Sequence, residues 1–214
     1  MSSQKDAFLT AEGDAWFARN ASGLAAVDWS RDPVCVQLAT LISPGPPTRV
    51  LEIGCSDGSR LQFLAERHGH QVFGVDPSEK AVARALARGV QAVRGTADRL
   101  PFVDASFDVV IFGFCLYLCD DKDLFRIAFE ADRVLADPGW LTILDFEARA
   151  PTYRPYRHRA GIASRKMEYK SMFLWHPAFT LASHRKFHHE TLEWTDEADE
   201  WVSVACLRKC RAVK

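Results

Sequence analysis

Residues 50–60 run Val-Leu-Glu-Ile-Gly-Cys-Ser-Asp-Gly-Ser-Arg. A short, mainly apolar stretch leads into a turn that contains Gly54 and Gly58, and a helical pattern follows the turn. Glycine allows tight turns and a close approach between the backbone and a bound molecule. Because ligands of open α/β sheets bind beyond the carboxyl ends of the strands, this turn predicts a ligand-binding site.

Apolar stretches of strand length alternate with helical patterns in the sequence around this turn. The alternation covers residues 49–53, 59–68, 71–75, 78–88, 91–94, 107–113, 121–135 and 140–146. Residues 109–112 are apolar at every position, as required of a strand that is covered on both faces of a parallel sheet. Two more candidate strands follow at about residues 179–187 and 201–208. The order predicts an α/β fold built on a parallel sheet.

Residues 1–47 predict an N-terminal helical lid and a linker, ahead of a main domain at residues 48–214. Apolar residues recur at three- and four-residue spacing between residues 7 and 42, and Asp32-Pro33 supplies a cap and a first-turn proline for a second helix. The linker is the run Ser-Pro-Gly-Pro-Pro at residues 43–47, which cannot form a helix or a central strand.

The chain has 214 residues, 48% of them hydrophobic, which is enough for one compact domain whose core needs no disulfide or metal. Its six cysteines lie in apolar surroundings, so we expect reduced, buried thiols and no metal site. The first residues are polar and no apolar run reaches about 18 residues, a pattern that predicts a cytoplasmic protein without a membrane partner. We expect a monomer or a homodimer.

The first turn also distinguishes between two kinds of nucleotide cofactor. A dinucleotide-binding fingerprint requires three glycines, at positions where this chain has Gly54, Ser56 and Ser59. A nicotinamide-dependent oxidoreductase is therefore a disfavoured alternative. The segment instead resembles the acidic-x-Gly-x-Gly-x-Gly motif of class I methyltransferases at Glu52, Gly54 and Gly58, with Ser56 in place of the middle glycine.

An acidic residue, Asp76, follows the second predicted strand, 18 residues after Gly58. A carboxylate at this point accepts hydrogen bonds from the ribose hydroxyls of an adenosine. Pro77 and Ser78 come next, and Ser78 is also well placed to cap the following helix. The position predicts a bound nucleoside without identifying the cofactor that carries it.

A third segment identifies the family more closely. Residues 95–102, Gly-Thr-Ala-Asp-Arg-Leu-Pro-Phe, are followed at residues 106–110 by Ser-Phe-Asp-Val-Val. They resemble the part of class I, Rossmann-like S-adenosylmethionine-dependent methyltransferases in which a small residue and an acid contact the adenine. The resemblance covers residues 48–146 and implies a small-molecule methyltransferase. It also implies a doubly wound, seven-stranded, mostly parallel sheet with an antiparallel closing strand and helices on both faces.

The resemblance implies S-adenosylmethionine as the cofactor and S-adenosylhomocysteine as the product. Asp98 would accept a hydrogen bond from the adenine amino group, and Ala97 would supply a backbone amide. The carboxylate of Glu52 would lie near the cationic end of the cofactor, directly or through water. The full set of implied cofactor-binding residues is Glu52, Gly54, Cys55, Gly58, Asp76, Pro77, Ala97, Asp98 and Gly113.

Methyl transfer is an in-line displacement, so the enzyme chiefly aligns donor and acceptor and excludes water. Residues 112–118 resemble the segment that lines the methyl end of the cofactor. Tyr117 is a candidate for orienting or polarising the acceptor, with a merely packed tyrosine as the alternative. His176 is the first candidate for a general base, because aromatic residues flank it in the sequence. The other candidates are His158, His184, His188 and His189.

The segment at residues 149–186 is strongly basic. It contains nine lysine and arginine residues and one acid, in a chain with 27 basic and 28 acidic residues overall. Like charges repel one another unless anionic groups meet them. We therefore expect an insert at about residues 147–178 to bind a small anionic metabolite, such as a nucleotide-linked sugar or a phosphorylated or carboxylated compound. The expected contacts are Arg154, Arg157 and Arg159, and docking on the acidic remainder of the chain is the alternative.

Two further alternatives remain open. An RNA methyltransferase would use the basic segment on phosphates and interleaved aromatic side chains on bases. The aromatic residues are Tyr153, Tyr156, Tyr169, Phe173 and Trp175. The near-zero net charge argues against this reading, so we expect no nucleic-acid partner. The second alternative is a binding module that keeps the sheet without activity.

Overall fold

The computed structural model describes residues 3–42 and 45–211. Two residues of the predicted linker, Ser43 and Pro44, lie outside the described residues, as do residues 1–2 and 212–214. The described strands are β1 (Arg49–Ile53), β2 (Gln71–Asp76), β3 (Gln91–Arg94), β4 (Phe107–Gly113), β5 (Leu135–Phe146), β6 (Thr152–Pro155), β7 (Ala163–Lys166), β8 (Phe179–His188) and β9 (Trp201–Lys209).

Helices precede and separate these strands. They are α1 (Gln4–Ala7), α2 (Gly13–Ala25), α3 (Pro33–Leu41), α4 (Ser59–His68), α5 (Glu79–Ala87), α6 (Leu124–Val134) and α7 (Ser171–Leu174). A π-helical turn, Phe8–Glu12, joins α1 to α2, and short 3₁₀ turns occur at Leu116–Leu118, Asp121–Asp123 and Ala198–Glu200. Among the described residues, no helix has both the length and the apolar character needed to cross a bilayer.

Seven strands form one sheet in the order β3-β2-β1-β4-β5-β9-β8. Strands β1 to β5 pair in parallel, whereas β9 is antiparallel to both β5 and β8. The predicted seven-stranded, mostly parallel sheet with an antiparallel strand is confirmed. The chain order reverses between β1 and β4, which is the point where an open α/β sheet leaves a crevice for a ligand.

The apolar strand β4 supplies side chains to both faces of the sheet. Val109 and Ile111 belong to one hydrophobic core, and Val110 and Phe112 belong to the other. All four side chains are completely buried. The continuous apolar run in the sequence thus reflects burial on both faces, as predicted.

The second N-terminal helix begins as the sequence predicts. Asp32 caps α3, because its carboxylate accepts hydrogen bonds from the amides of Val34 at 3.1 Å and Cys35 at 3.0 Å. Pro33 occupies the first helical position, where its missing amide proton costs nothing. The local signals were sufficient here because both act within one turn of the helix.

Residues 4–25, termed the N-terminal lid below, lie over the carboxyl edge of the sheet. The side-chain amide of Gln4 donates to the carbonyl oxygen of Leu118 at 2.9 Å. Farther along the lid, the Ser78 hydroxyl donates to the carboxylate of Asp14 at 2.7 Å. These contacts join the lid to two loops that follow strands of the sheet.

The basic insert is more regular than its sequence indicates. Strands β6 and β7 form an antiparallel hairpin, and α7 follows it. Tyr169 and Phe173 are buried in the hydrophobic core. These two aromatic residues therefore contribute to packing and are not exposed for base stacking.

The six cysteines are free thiols. Cys35, Cys55 and Cys206 are buried, in agreement with the sequence-based expectation. The expectation is wrong for Cys210, which is exposed because it lies just beyond the end of β9.

Candidate active site

A cavity opens at the carboxyl ends of the parallel strands and is termed the strand-end cavity. Gly54 follows β1, Asp76 ends β2, Ala97 and Asp98 follow β3, and Gly113 ends β4. All five residues line this cavity, together with Pro77. The structure thus brings together six of the nine residues that the sequence assigns to cofactor binding.

The backbone of the first turn is held in an unusual conformation. Gly54 has a φ of +77°, and a Cβ atom there would lie 2.6 Å from the Cβ of Cys115. Ser56, which replaces the middle glycine of the motif, has a φ of +48°. Its amide donates to the carboxylate of Asp76 at 2.9 Å, a charge-assisted hydrogen bond that helps to hold the strained residue. The Ser56 hydroxyl is buried without a hydrogen-bond partner and lines the cavity.

Asp76 links the first turn to the second. Its other carboxylate oxygen accepts a hydrogen bond from the amide of Ser78 at 2.8 Å. Burial raises the pKa of Asp76 to about 6, although the two amide hydrogen bonds oppose this effect. Ser78 caps α5 as expected, since its hydroxyl accepts from the amide of Ala81 at 3.0 Å. The acid and the helix cap are therefore two different residues, separated by Pro77, with separate roles.

Glu52 lies on β1 and is 1% exposed. One carboxylate oxygen pairs with Arg60, whose guanidinium also contacts both carboxylate oxygens of Asp32 at 3.1 Å. The second oxygen, Oε2, is buried without a hydrogen-bond partner. Burial raises the pKa of Glu52 to about 7. The side chain also packs against Gly113, where a Cβ would clash with it.

Sequence reasoning missed Lys5, which comes from the lid and lines the strand-end cavity. Its ammonium group forms ion pairs with Asp98 and with Asp123, the latter at 3.0 Å. Partial burial raises the pKa of Asp98, but hydrogen bonds from Lys5 and Thr96 outweigh it and lower the pKa overall. A lysine in a polar N-terminal segment carries no local signal for such a long-range contact.

Gly58 has a structural role and lines neither cavity described here. Its φ is +72°, and a Cβ atom on it would lie 3.0 Å from both Ala85 and Val90. The residue thus allows α5 to pack closely on the first turn. Its expected contact with the cofactor is not supported by the structure.

A second cavity adjoins the first across Gly54 and Gly113 and is termed the aromatic cavity. Glu52, Cys55 and Arg60 contribute to its lining. Its aromatic lining residues are Trp16, Trp29, Phe114, Tyr117, Phe146 and Tyr156. The aromatic cavity therefore lies where the methyl end of the cofactor is expected.

Tyr117 lies in the 3₁₀ turn after β4 and lines the aromatic cavity. Its hydroxyl oxygen accepts a hydrogen bond from the indole N–H of Trp16 at 3.1 Å. The turn is fixed by Asp145, whose carboxylate accepts from the amide of Leu116 at 2.8 Å. Burial raises the pKa of Tyr117 well above its usual value, so the phenol keeps its proton.

His176 lies at the opposite edge of the sheet. His176 comes three residues before Phe179, the first residue of β8. Phe179 pairs with Lys209 at the end of β9, and Lys209 also pairs with Gly139 near the start of β5. The start of β8 therefore lies at the amino ends of the parallel strands. Its Nδ1 accepts a hydrogen bond from the amide of Ala178 at 3.2 Å. The first candidate for the general base is thus separated from both cavities by the length of the strands, and the structure does not support this role.

The three arginines expected to bind an anionic substrate do not line either cavity. Arg154 pairs with Asp199 at 3.0 Å, Arg157 donates to His158 at 3.0 Å, and Arg159 donates to the carbonyl oxygen of Ala7 at 3.3 Å. The basic charge of the insert is thus partly used in contacts with the rest of the chain. The alternative, in which the segment docks on other parts of the protein, agrees better with these contacts.

Of the five candidate histidines, His158 lines the aromatic cavity. His184 instead contacts the buried carboxylate of Glu147 at 2.8 Å. His188, His189 and Glu200 place possible metal-binding atoms within 4.8 Å of one another. However, the two imidazole rings are stacked at 4.9 Å with an interplanar angle of 20°, so one ion cannot lie in the plane of both.

Residues 50–139 match a family model described as a methyltransferase domain. An uncharacterised methyltransferase of Synechocystis sp. is 36% identical over 106 residues, which cover 49% of each chain. The malonyl-[acyl-carrier protein] O-methyltransferase of Herminiimonas arsenicoxydans is 34% identical over 127 residues, 58% of this chain and 47% of the relative. The matched regions thus span about half the length of these two relatives.

A solved structure extends the likeness of fold over nearly the whole chain. The 1,6-didemethyltoxoflavin-N1-methyltransferase of Burkholderia thailandensis, solved with 1,6-didemethyltoxoflavin and S-adenosylhomocysteine, has a TM-score of 0.72 at 22% identity. The match covers 96% of this chain and 89% of that one. The matched domain, the relatives and the shared fold together support a class I, Rossmann-like S-adenosylmethionine-dependent methyltransferase.

Proposed function

We propose that the chain transfers a methyl group from S-adenosylmethionine to a small molecule held in the aromatic cavity. The observation that carries this proposal is the arrangement of three acids along two adjoining cavities, with Asp76 and Asp98 in the strand-end cavity and Glu52 in the aromatic cavity next to it. Glu52, Asp76 and Asp98 belong to β1, the end of β2 and the loop after β3, respectively. Their carboxylates match the ammonium group, the ribose diol and the adenine amino group of one elongated cofactor.

The residues at this site fit such a cofactor in two further respects. Glu52 Oε2 and the Ser56 hydroxyl are buried without hydrogen-bond partners, an arrangement that is costly unless a ligand satisfies them. Gly54 and Gly113 have no room for a side chain, so the backbone itself borders the cavity. Glu52 would receive the ammonium group, and Ser56 would donate its hydroxyl proton to an oxygen of the ligand.

When bound, S-adenosylmethionine supplies an electrophilic methyl group on a sulfonium centre. The protein has to align the acceptor with that methyl group and to exclude water. Trp16 lines both cavities and belongs to the lid, so one side chain covers the passage between donor and acceptor. The hydroxyl oxygen of Tyr117 accepts a hydrogen bond from the indole N–H of Trp16. The phenolic O–H is thus free to donate a hydrogen bond to the methyl acceptor.

A proton acceptor is required where the methylated atom starts with a proton, and we assign this role to His158 in place of His176. Desolvation and the charges of Arg19 and Arg157 lower the pKa of His158, which keeps the imidazole neutral at pH 7. The guanidinium of Arg157 donates to its Nε2 at 3.0 Å. This exposed arginine therefore has to move aside before Nε2 can accept the proton.

Calorimetric titration with S-adenosylmethionine, S-adenosylhomocysteine and NAD tests the proposal. We expect one site for each sulfur compound and no binding of NAD. Glu52→Gln and Asp76→Asn should each weaken S-adenosylhomocysteine binding at least tenfold, because each leaves a polar group of the ligand or the protein unpaired. Asp104→Asn, at a carboxylate that is 79% exposed, is the matched control and should bind normally. Binding of NAD alone would contradict the proposal.

A further inference from the structure

Each charged side chain that lines the aromatic cavity forms an ion pair within the protein, and the one carboxylate oxygen without a partner, Oε2 of Glu52, is assigned above to the cofactor. Glu52 pairs with Arg60, which is held by Asp32 on its other side. Asp57 pairs with Arg88 at 3.0 Å. Within the described part of the chain, Arg60 is the only lysine or arginine that lines this cavity. No cation is therefore left over to neutralise a phosphate or carboxylate of a substrate.

Six aromatic side chains contribute to the rest of the lining. Phe146 contacts Tyr117 edge to face at 5.1 Å and Phe114 at 5.4 Å, so three rings form one continuous wall. The guanidinium of Arg60 lies over the indole ring of Trp29, with its Cζ atom 5.3 Å from the ring centroid. The unpartnered oxygen of Glu52, Oε2, is assigned to the ammonium group of the cofactor, so no carboxylate in this lining is left to attract a cationic acceptor. The cavity is thus suited to a flat group that is neither anionic nor cationic.

The uncharged polar groups in the cavity are able to orient such a ligand. Tyr117 can donate one hydrogen bond, and His158 and Asn20 offer further polar atoms. A mostly apolar cavity with a small number of polar groups is typical of a site for small ring compounds. Offset and edge-to-face contacts with the aromatic wall would add to the binding of a flat ring.

We infer that the methyl acceptor is a neutral, flat aromatic or heteroaromatic compound. This inference rests on the proposed methyltransferase function. The ring lies against the wall of Phe114, Tyr117 and Phe146, with its nucleophilic oxygen or nitrogen directed toward the passage at Gly54 and Gly113. The nucleophile forms a bond to the methyl carbon while the bond between that carbon and the sulfur breaks. Its proton passes to His158, and S-adenosylhomocysteine is left in the strand-end cavity.

A matched set of ring compounds tests this inference. The protein is first titrated with S-adenosylhomocysteine, and the loaded protein is then titrated with 2-naphthol, 2-naphthyl phosphate and 2-naphthylmethylammonium. These probes share one ring system and differ in charge. We expect 2-naphthol to bind with one-to-one stoichiometry and at least tenfold more tightly than either charged probe. Equal or tighter binding of the phosphate or the ammonium compound would overturn the inference.

Variants connect the binding of 2-naphthol to the aromatic cavity. Phe146→Ala should weaken it at least fivefold, and Phe146→Leu should weaken it less. The dissociation constant of S-adenosylhomocysteine should stay within twofold in both, because Phe146 does not line the strand-end cavity. Trp194→Ala removes an exposed aromatic residue outside both cavities and serves as the control.

Two negative results have different meanings in this experiment. Failure of the wild-type protein to bind S-adenosylhomocysteine would overturn the proposed function and, with it, the acceptor class. Normal binding of S-adenosylhomocysteine combined with no binding of 2-naphthol, or with binding that Phe146→Ala does not change, would overturn only the acceptor class.

Discussion

The ammonium group of Lys5 is paired with the carboxylate of Asp98, so the N-terminal lid is tied to the acid expected to contact the adenine. Lys5 also pairs with Asp123. The lid therefore lies over the strand-end cavity through an electrostatic contact, and all three residues of this contact line the cavity.

Replacement of Lys5 by methionine should loosen the lid. A partly exposed ion pair contributes about 0.2–1 kcal/mol, which corresponds to an affinity loss of about 1.4- to fivefold if closure is coupled to binding. Limited proteolysis should cleave the variant faster between residues 4 and 25, and titration should show weaker binding of S-adenosylhomocysteine. Lys122→Met, at an exposed lysine outside this ion pair, is the control. Identical proteolysis and affinity in the two variants would contradict the coupling.

Ser56→Gly should stabilise the protein slightly. A side chain at a φ of +48° costs about 1–2 kcal/mol, and glycine removes this strain while adding some entropy to the unfolded chain. We expect a melting temperature that is equal or higher by a few degrees. Ser56→Val should lower it, because a β-branched residue tolerates this backbone conformation poorly. A clear loss of stability in Ser56→Gly, measured by thermal denaturation, would show that the serine side chain outweighs its strain.

Gly58→Ala tests whether this glycine serves packing rather than the cofactor. The substitution combines a left-handed backbone with contacts of 3.0 Å to Ala85 and Val90, so we expect a loss of about 2–4 kcal/mol in the free energy of unfolding. Gly69→Ala is a matched control, since its φ is +70° but no atom lies within 4 Å of the added Cβ. It should lose only about 1–2 kcal/mol. Chemical denaturation measures both, and equal losses would remove the packing argument.

The sequence was informative wherever a residue acts through its own strand end or turn. Gly54, Asp76 and Asp98 could be placed because parallel strands bring their carboxyl ends to one edge. His176 could not be placed, because its aromatic sequence neighbours say nothing about which edge of the sheet the start of β8 occupies. Lys5 was missed for a similar reason: its contact with Asp98 depends on how the lid crosses the sheet.

Charge patterning in the sequence was similarly limited. The excess of basic residues at residues 149–186 is real, but a count does not show which acids or carbonyl groups meet them. Arg154 and Arg159 are engaged by Asp199 and by the backbone of the lid, respectively. The aromatic residues of the acceptor site come from five separate segments of the chain, and only their packing shows that they line one cavity.

The affinity for S-adenosylhomocysteine should depend on pH through Glu52 and Asp76. Burial raises the pKa of these carboxyls to about 7 and about 6, respectively. In the free protein each carboxyl therefore stays protonated up to a higher pH than it would in water. The ligand's ammonium group and ribose hydroxyls favour the ionised carboxylates. Binding therefore releases protons, and affinity should fall as the pH decreases through 7 and then 6.

At pH 6 Glu52, with a pKa of about 7, is roughly 10% ionised and Asp76, with a pKa of about 6, is roughly half ionised, so the binding constant should be about twentyfold lower than at pH 8. Calorimetry in buffers of different ionisation enthalpy should show proton release near pH 7. Glu52→Gln should bind weakly at every pH and lose most of this dependence, because the titrating group is gone. Glu79→Gln, at a carboxylate that is 77% exposed, should keep the wild-type profile. A flat profile for the wild-type protein between pH 6 and 8 would mean that Glu52 does not meet the ammonium group as a carboxylate.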